Sequence, residues 1–140
     1  MKKLIIKRRV FHMKPYGHDI HLIFTNDLRR ATVKLHKEIG DEIPDRIKNT
    51  MNAFTIYGEG KFDVHIFLEM NPDIGTIAHE SFHAVDFVLR DSGIKNEERV
   101  SEEVWAYHLG ELVRFIIKFF SQINGMDANG KKSTKKQKTT

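Results

Sequence analysis

The chain predicts an α+β fold in which a small sheet, mixed or antiparallel and of three to five strands, packs against helices. Three observations carry this. Short apolar runs with strand character stand at residues 3–13, 20–25, 54–57 and 62–70. Apolar stripes at helical spacing follow at 27–39, 73–91 and beyond 101. Turn-forming residues sit at most of the junctions between them.

The first strand is built on Leu4-Ile5-Ile6 and Val10-Phe11, with Pro15-Tyr16-Gly17 turning the chain so that Ile20 to Thr25 can pair back. Asn26 or Asp27 can cap a helix striped by Leu28, Ala31, Leu35 and Ile39 and ended by Gly40. Pro44 opens a short helix around Asp45 to Met51. Gly58-Glu59-Gly60-Lys61 then joins two apolar runs as a hairpin. In the second run Val64, Ile66 and Leu68 predict a core face, and Asp63, His65, Phe67 and Glu69 a partly polar one. Asn71-Pro72-Asp73 starts a helix that closes at Asp91-Ser92-Gly93, the glycine in a left-handed cap. On that helix Ile74, Ile77, Ala78, Phe82, Val85, Val88 and Leu89 form the expected buried face. A last helix presents Trp105, Leu109, Leu112, Val113, Ile116 and Phe120.

At 140 residues this is one domain, expected over 1–124, with a disordered lysine-rich tail over 125–140. Of 23 Lys and Arg the tail holds five, and of 19 Asp and Glu it holds one, so 18 of each remain and the body is electrically balanced. With no cysteine, any metal must be held by His, Asp or Glu. No apolar run reaches membrane-spanning length, and the basic start has too short an apolar stretch for a secretory signal. The expectation is a cytoplasmic protein with no membrane partner.

The chemistry is concentrated in His79-Glu80-Ser81-Phe82-His83. Histidines four apart on a helix lie one turn above each other and can reach one ion, with the intervening glutamate beside it as proton acceptor for a metal-bound water. Chance supplies roughly 0.03 such pentads in a chain of this composition, so the pentad needs its context. His79, His83 and Asp86 share a narrow strip bordering the apolar face, with Glu80 at its side. Asp86 either holds a ligand imidazole, pairs with Arg90 one turn on, or is simply solvated.

Two histidines leave a zinc site incomplete. Further donors gather in Ser101-Glu102-Glu103-Val104-Trp105-Ala106-Tyr107-His108. Ala106 and Gly110 form a small-residue patch where another helix can approach. Glu103 lies within about 40° of its centre and Glu102 within about 60°, which hardly separates them. His108 points away.

The pentad followed by Glu103, twenty positions after His83, resembles the gluzincin pattern. The wording Thr76-Ile77-Ala78-His79-Glu80-Ser81-Phe82-His83-Ala84-Val85, then Glu103-Val104-Trp105-Ala106-Tyr107, is similar to small metallopeptidases of bacteriophage genomes, over roughly residues 54–115. That resemblance implies a minimal zincin-like fold, one Zn²⁺ held by His79, His83 and Glu103 (Glu102 as runner-up), Glu80 as general base, and a peptide or protein substrate. It also implies a substrate-aligning edge strand, expected at Asp63, Val64, His65, Ile66 and Phe67 within the run to Glu69. Tyr107, His108, Tyr57 and His65 are candidate transition-state donors. Metzincins continue the pentad with a glycine and a third histidine; Asp86 and Leu89 occupy those places here, which excludes them.

Two other functions compete. One is a non-catalytic structural zinc protein, such as a phage or mobile-element accessory factor. The other is a nucleic-acid-binding module using Lys2, Lys3, Lys7, Arg8, Arg9 and tail lysines 131, 132, 135, 136 and 138, which could also make weak contact with acidic surfaces.

Overall fold

The computed structural model describes residues 2–14, 16–39, 52–57, 63–94 and 99–124, without the side chains of 36–39 and 99–101. The short helix expected at Asp45 to Met51, the hairpin turn at 58–61 and the lysine tail lie outside them. The elements are β1 (Ile6–Met13), β2 (His18–Thr25), α1 (Leu28–Ile39), β3 (Ala53–Tyr57), β4 (Asp63–Glu69), α2 (Ile74–Asp91) and α3 (Arg99–Ile123). This is an α+β arrangement of a four-stranded mixed sheet and three helices.

The sheet runs β1-β2-β4-β3. β1 and β2 are antiparallel, as are β3 and β4, and the two hairpins join through a parallel β2–β4 pairing in which His21 stands opposite His65. β4 is therefore interior. The expected half-polar face of this strand is buried too, because a strand paired on both sides and covered on both faces has no wet side. Residues 64–68 are all buried, His65 included.

Side-chain alternation divides the core in two. Ile20, Leu22, Phe24, Val64, Ile66 and Leu68 pack under α2 and α3. Ile23, Phe54 and Phe67 pack under Leu28, Ala31 and Leu35 of α1. Asp27 caps α1, its Oδ1 accepting from Arg30 N at 2.9 Å, while Asn26 ties down the chain start by accepting from Ile5 N and donating to Lys3 O.

α2 begins on Asp73, whose carboxylate accepts from Thr76 N at 2.8 Å. It ends with Gly93 at φ 80°, where Gly93 N donates to Arg90 O and Ile94 N to Leu89 O, a paired closure that left-handed glycine permits. Its buried face is Ile77, Glu80, Ser81, Ala84, Val85, Val88 and Leu89. The face is thus rotated from the purely apolar stripe: Ile74 and Phe82 are exposed, while small Ser81 and Ala84 turn inward. Phe82 instead lies against Trp105 of α3, ring centroids 5.6 Å apart.

α3 buries Trp105, Leu112, Ile116 and Phe119. The Ala106/Gly110 patch does not receive a helix. Ala106 is exposed, and the nearest side chain beyond Gly110 is Arg114 of the same helix. The stripe that α3 needs for burial lies elsewhere on its circumference, and among the described residues no helix packs on the patch. No helix among the described residues is long and apolar enough to cross a membrane.

Candidate metal centre

His79 and His83 are both exposed on α2, and their Nε2 atoms stand 3.1 Å apart with ring planes at 81°. Two nitrogens bound to one tetrahedral zinc at about 2.05 Å stand about 3.3 Å apart. The helix therefore sets the pair near chelating separation. Without metal the same distance suits an N–H of one ring donating to the lone pair of the other.

Glu80 is buried between α2 and β3. Thr55 Oγ1 lies 2.6 Å from Glu80 Oε2 and 3.2 Å from Glu80 O, so its single proton goes to the nearer carboxylate oxygen. Among the described residues the second oxygen, Oε1, has no hydrogen-bond partner, and it is not one of the fully buried unpaired polar atoms. Glu80 and His79 line an open cleft of about 360 Å³ with Asn52 and Ala53 at the start of β3 and Gly75 and Thr76 at the start of α2. One oxygen of the carboxylate is anchored by Thr55 and the residue lines the cleft, an arrangement suited to taking a proton.

Thr55 was not singled out in the sequence. Its signal is alternation. Phe54 and Ile56 pack toward α1, which leaves Ala53, Thr55 and Tyr57 toward α2. Tyr57 stacks on Phe87 at 4.3 Å, confirming the side on which this row lies.

The expected substrate strand requires correction. Asp63, Val64, His65, Ile66 and Phe67 are the first five residues of β4; all pair with β2, and Val64 to Phe67 pair with β3 on the other side as well, so their backbone is taken up within the sheet and cannot pair with a peptide. The edge next to α2 is β3. His65 also fails as a transition-state donor, because it lies on the sheet face away from α2, stacked on His21 at 4.6 Å, and His21 Nε2 approaches Asp63 Oδ2 at 3.3 Å.

Asp86 takes the ion-pair role, with Arg90 Nε 2.8 Å from its Oδ1. Tyr107 is exposed and meets His108 edge-on. His108 packs against Tyr16, and burial lowers its pKa below the ordinary 6.5, against an opposing pull from Glu111. Neither residue makes a hydrogen bond or ring contact with the histidine pair among the described residues.

Glu102 and Glu103 are both exposed. Among the described residues, no third His, Asp or Glu joins His79 and His83 in a group arranged to hold a metal. The pair fits zinc as two of its ligands; among the described residues the third is not assembled. The chain matches no family model, no curated protein and no solved structure.

Proposed function

We propose that this protein is a zinc-dependent peptidase of the gluzincin type, with His79 and His83 as two ligands and Glu80 as general base. One observation carries the reading: two imidazole nitrogens 3.1 Å apart on one helix turn, beside a buried glutamate held by Thr55 at the mouth of a cleft. Two surface histidines alone would be unremarkable. A glutamate carried into the interior with only one of its oxygens anchored costs stability, and such a cost suggests a function.

Zinc bound there would supply a water of lowered pKa and a Lewis acid for a carbonyl. The third ligand would come from Glu102 or Glu103. Glu80 would accept the water's proton through the oxygen that Thr55 leaves free and return it to the leaving amine, while Thr55 holds the carboxylate's other oxygen. β3, at the edge of the described sheet beside α2, takes the substrate-aligning role first assigned to β4, its outer edge offered to an extended peptide.

The test is metal content and casein cleavage by purified protein loaded with zinc. Wild type should hold one zinc and cleave. Glu80→Gln should keep zinc and lose cleavage by at least 100-fold, as removal of a general base requires. His79→Ala should lose zinc. A wild type that binds zinc tightly and cleaves neither casein nor a peptide library supports the structural-metal alternative instead. A wild type that binds no zinc defeats both.

A further inference from the structure

We infer that the sheet edge opposite the candidate metal centre, where β1 meets the C-terminal half of α3, binds the phosphodiester backbone of a nucleic-acid strand. The balanced charge of residues 1–124 hides a segregation. Residues 2–18 carry Lys2, Lys3, Lys7, Arg8, Arg9 and Lys14 with no carboxylate, and residues 112–124 carry Arg114 and Lys118 with none. The fold lays these two acid-free segments together, with Phe11 of β1 against Phe115 of α3 at 5.1 Å.

Arg9 is the centre of the surface. Its guanidinium sits 4.9 Å from the centre of the Phe119 ring and its Nη2 approaches Gln122 Oε1 at 3.4 Å. Among the described residues it makes no ion pair. Arg9, Lys118 and Gln122, over the rings of Phe115 and Phe119, line a depression of about 140 Å³ that contains no acid. Lysines along an edge strand often serve only to keep another strand from pairing there, and such charges work best when mobile and outward. Arg9 is held over an aromatic ring and approached by a neutral amide, so part of its freedom is already given up before an anion binds.

Lys7 lies two residues along β1 on the same face, about 6.6 Å away by strand geometry. Lys2 and Lys3 precede β1 in the chain. Their carbonyls are pinned by Arg30 Nη1 and Asn26 Nδ2, and both residues are exposed. Cations set along one strand suit the successive phosphates of one nucleic-acid strand. An acidic protein partner would need an apolar centre to its interface, yet the exposed large apolar residues of the described chain, Ile5 apart, lie on other elements or, for Tyr107, in the first half of α3. The chain also continues from this end of α3 into its five tail lysines, which would add sequence-independent attraction.

The experiment is fluorescence anisotropy of a labelled 20-nucleotide single-stranded DNA against the full chain at several salt concentrations. Arg9→Gln combined with Lys118→Gln is compared with Arg29→Gln combined with Lys34→Gln, two exposed cations of α1. Both variants lose the same charge and keep the tail. A phosphate contact that releases a counterion with a slope of −0.7 is worth about fivefold at 0.1 M salt, so the first pair should weaken binding about 25-fold and flatten the salt slope by about 1.4. The α1 pair should stay within about twofold of wild type, the shift left by general charge alone. If the Arg9 variant melts early, Lys118→Gln alone carries the test with its expected fivefold loss. The inference is overturned if wild type does not bind, if the α1 pair loses as much, or if polyglutamate of equal charge displaces the DNA as well as unlabelled DNA does.

Discussion

Thr55→Val isolates the contact that defines the candidate site. The two side chains have nearly the same shape, so the change removes a hydroxyl without opening a cavity. What is lost is a donor 2.6 Å from a carboxylate oxygen of a residue only 7% exposed. A hydrogen bond to a charged group contributes about 1.5–3 kcal/mol, and a buried carboxylate deprived of its donor falls in the upper part of that range. We expect Thr55→Val to destabilise the metal-free protein by about 2 kcal/mol in urea unfolding at pH 7. Packing effects are removed by a double-mutant cycle. In a Glu80→Ala background the same change should cost almost nothing, leaving a coupling energy of about 1.5–3 kcal/mol. Thr55→Ser should recover most of it, since the donor returns. A coupling below about 0.5 kcal/mol would refute the claim that Thr55 holds Glu80, because sites without a shared contact add to within that margin.

Gly93→Ala should cost about 1 kcal/mol and lower Tm by about 4 °C in a calorimetric scan, since φ there is 80° and nothing lies within 4 Å of the added Cβ to offset the backbone strain. Zinc at 100 times its dissociation constant should stabilise the wild type by about 2.7 kcal/mol, reversibly with EDTA, and neither His79→Ala nor His83→Ala should respond; thermal melts decide this. His108 gives a pH effect of definite sign. Burial lowers its folded pKa below 6.5, so over the interval between the folded value and 6.5 the unfolded chain binds more protons and stability falls as pH drops. Urea midpoints at pH 7.5, 6.5 and 5.5 should therefore decline less steeply in His108→Gln than in wild type.

The local parts of this structure were readable from residues because their causes are local. Asp27 and Asp73 cap the helices they precede, and Gly93 closes α2 in the conformation its lack of a Cβ allows. Both hairpins pair as their turns and apolar runs suggest. What could not be read was the order of the strands. Placing β4 between β2 and β3 depends on a parallel pairing across a long stretch of chain, and nothing near Asp63–Glu69 encodes it. The misassigned substrate strand and the burial of His65 both follow from that one unknown. The rotation of α2 has a different cause. Hydropathy favoured Phe82 and Ile74, but the helix turns small Ser81 and Ala84 inward and carries Glu80 to Thr55.

The same distinction bears on the third ligand. Glu103 was preferred on its spacing from His83, a resemblance rather than a geometry. On α3, Trp105 is buried and touches Phe82, the residue next to His83. Measured around the helix from Trp105, Glu102 lies at about 60° and Glu103 at about 160°, almost opposite. Bringing Glu103 to the histidines means rolling the start of α3 by roughly 100° and drawing Trp105 out of the core, which costs about 3 kcal/mol for a large aromatic side chain. Glu102, on the same side of the helix as Trp105, asks for no such roll, and ordering its own side chain costs about 1–2 kcal/mol of rotamer freedom. The difference favours Glu102. Zinc content should therefore fall in Glu102→Ala and hold in Glu103→Ala, and the reverse result would mean that metal binding pays for unseating Trp105, visible as a shift in its fluorescence when zinc is added.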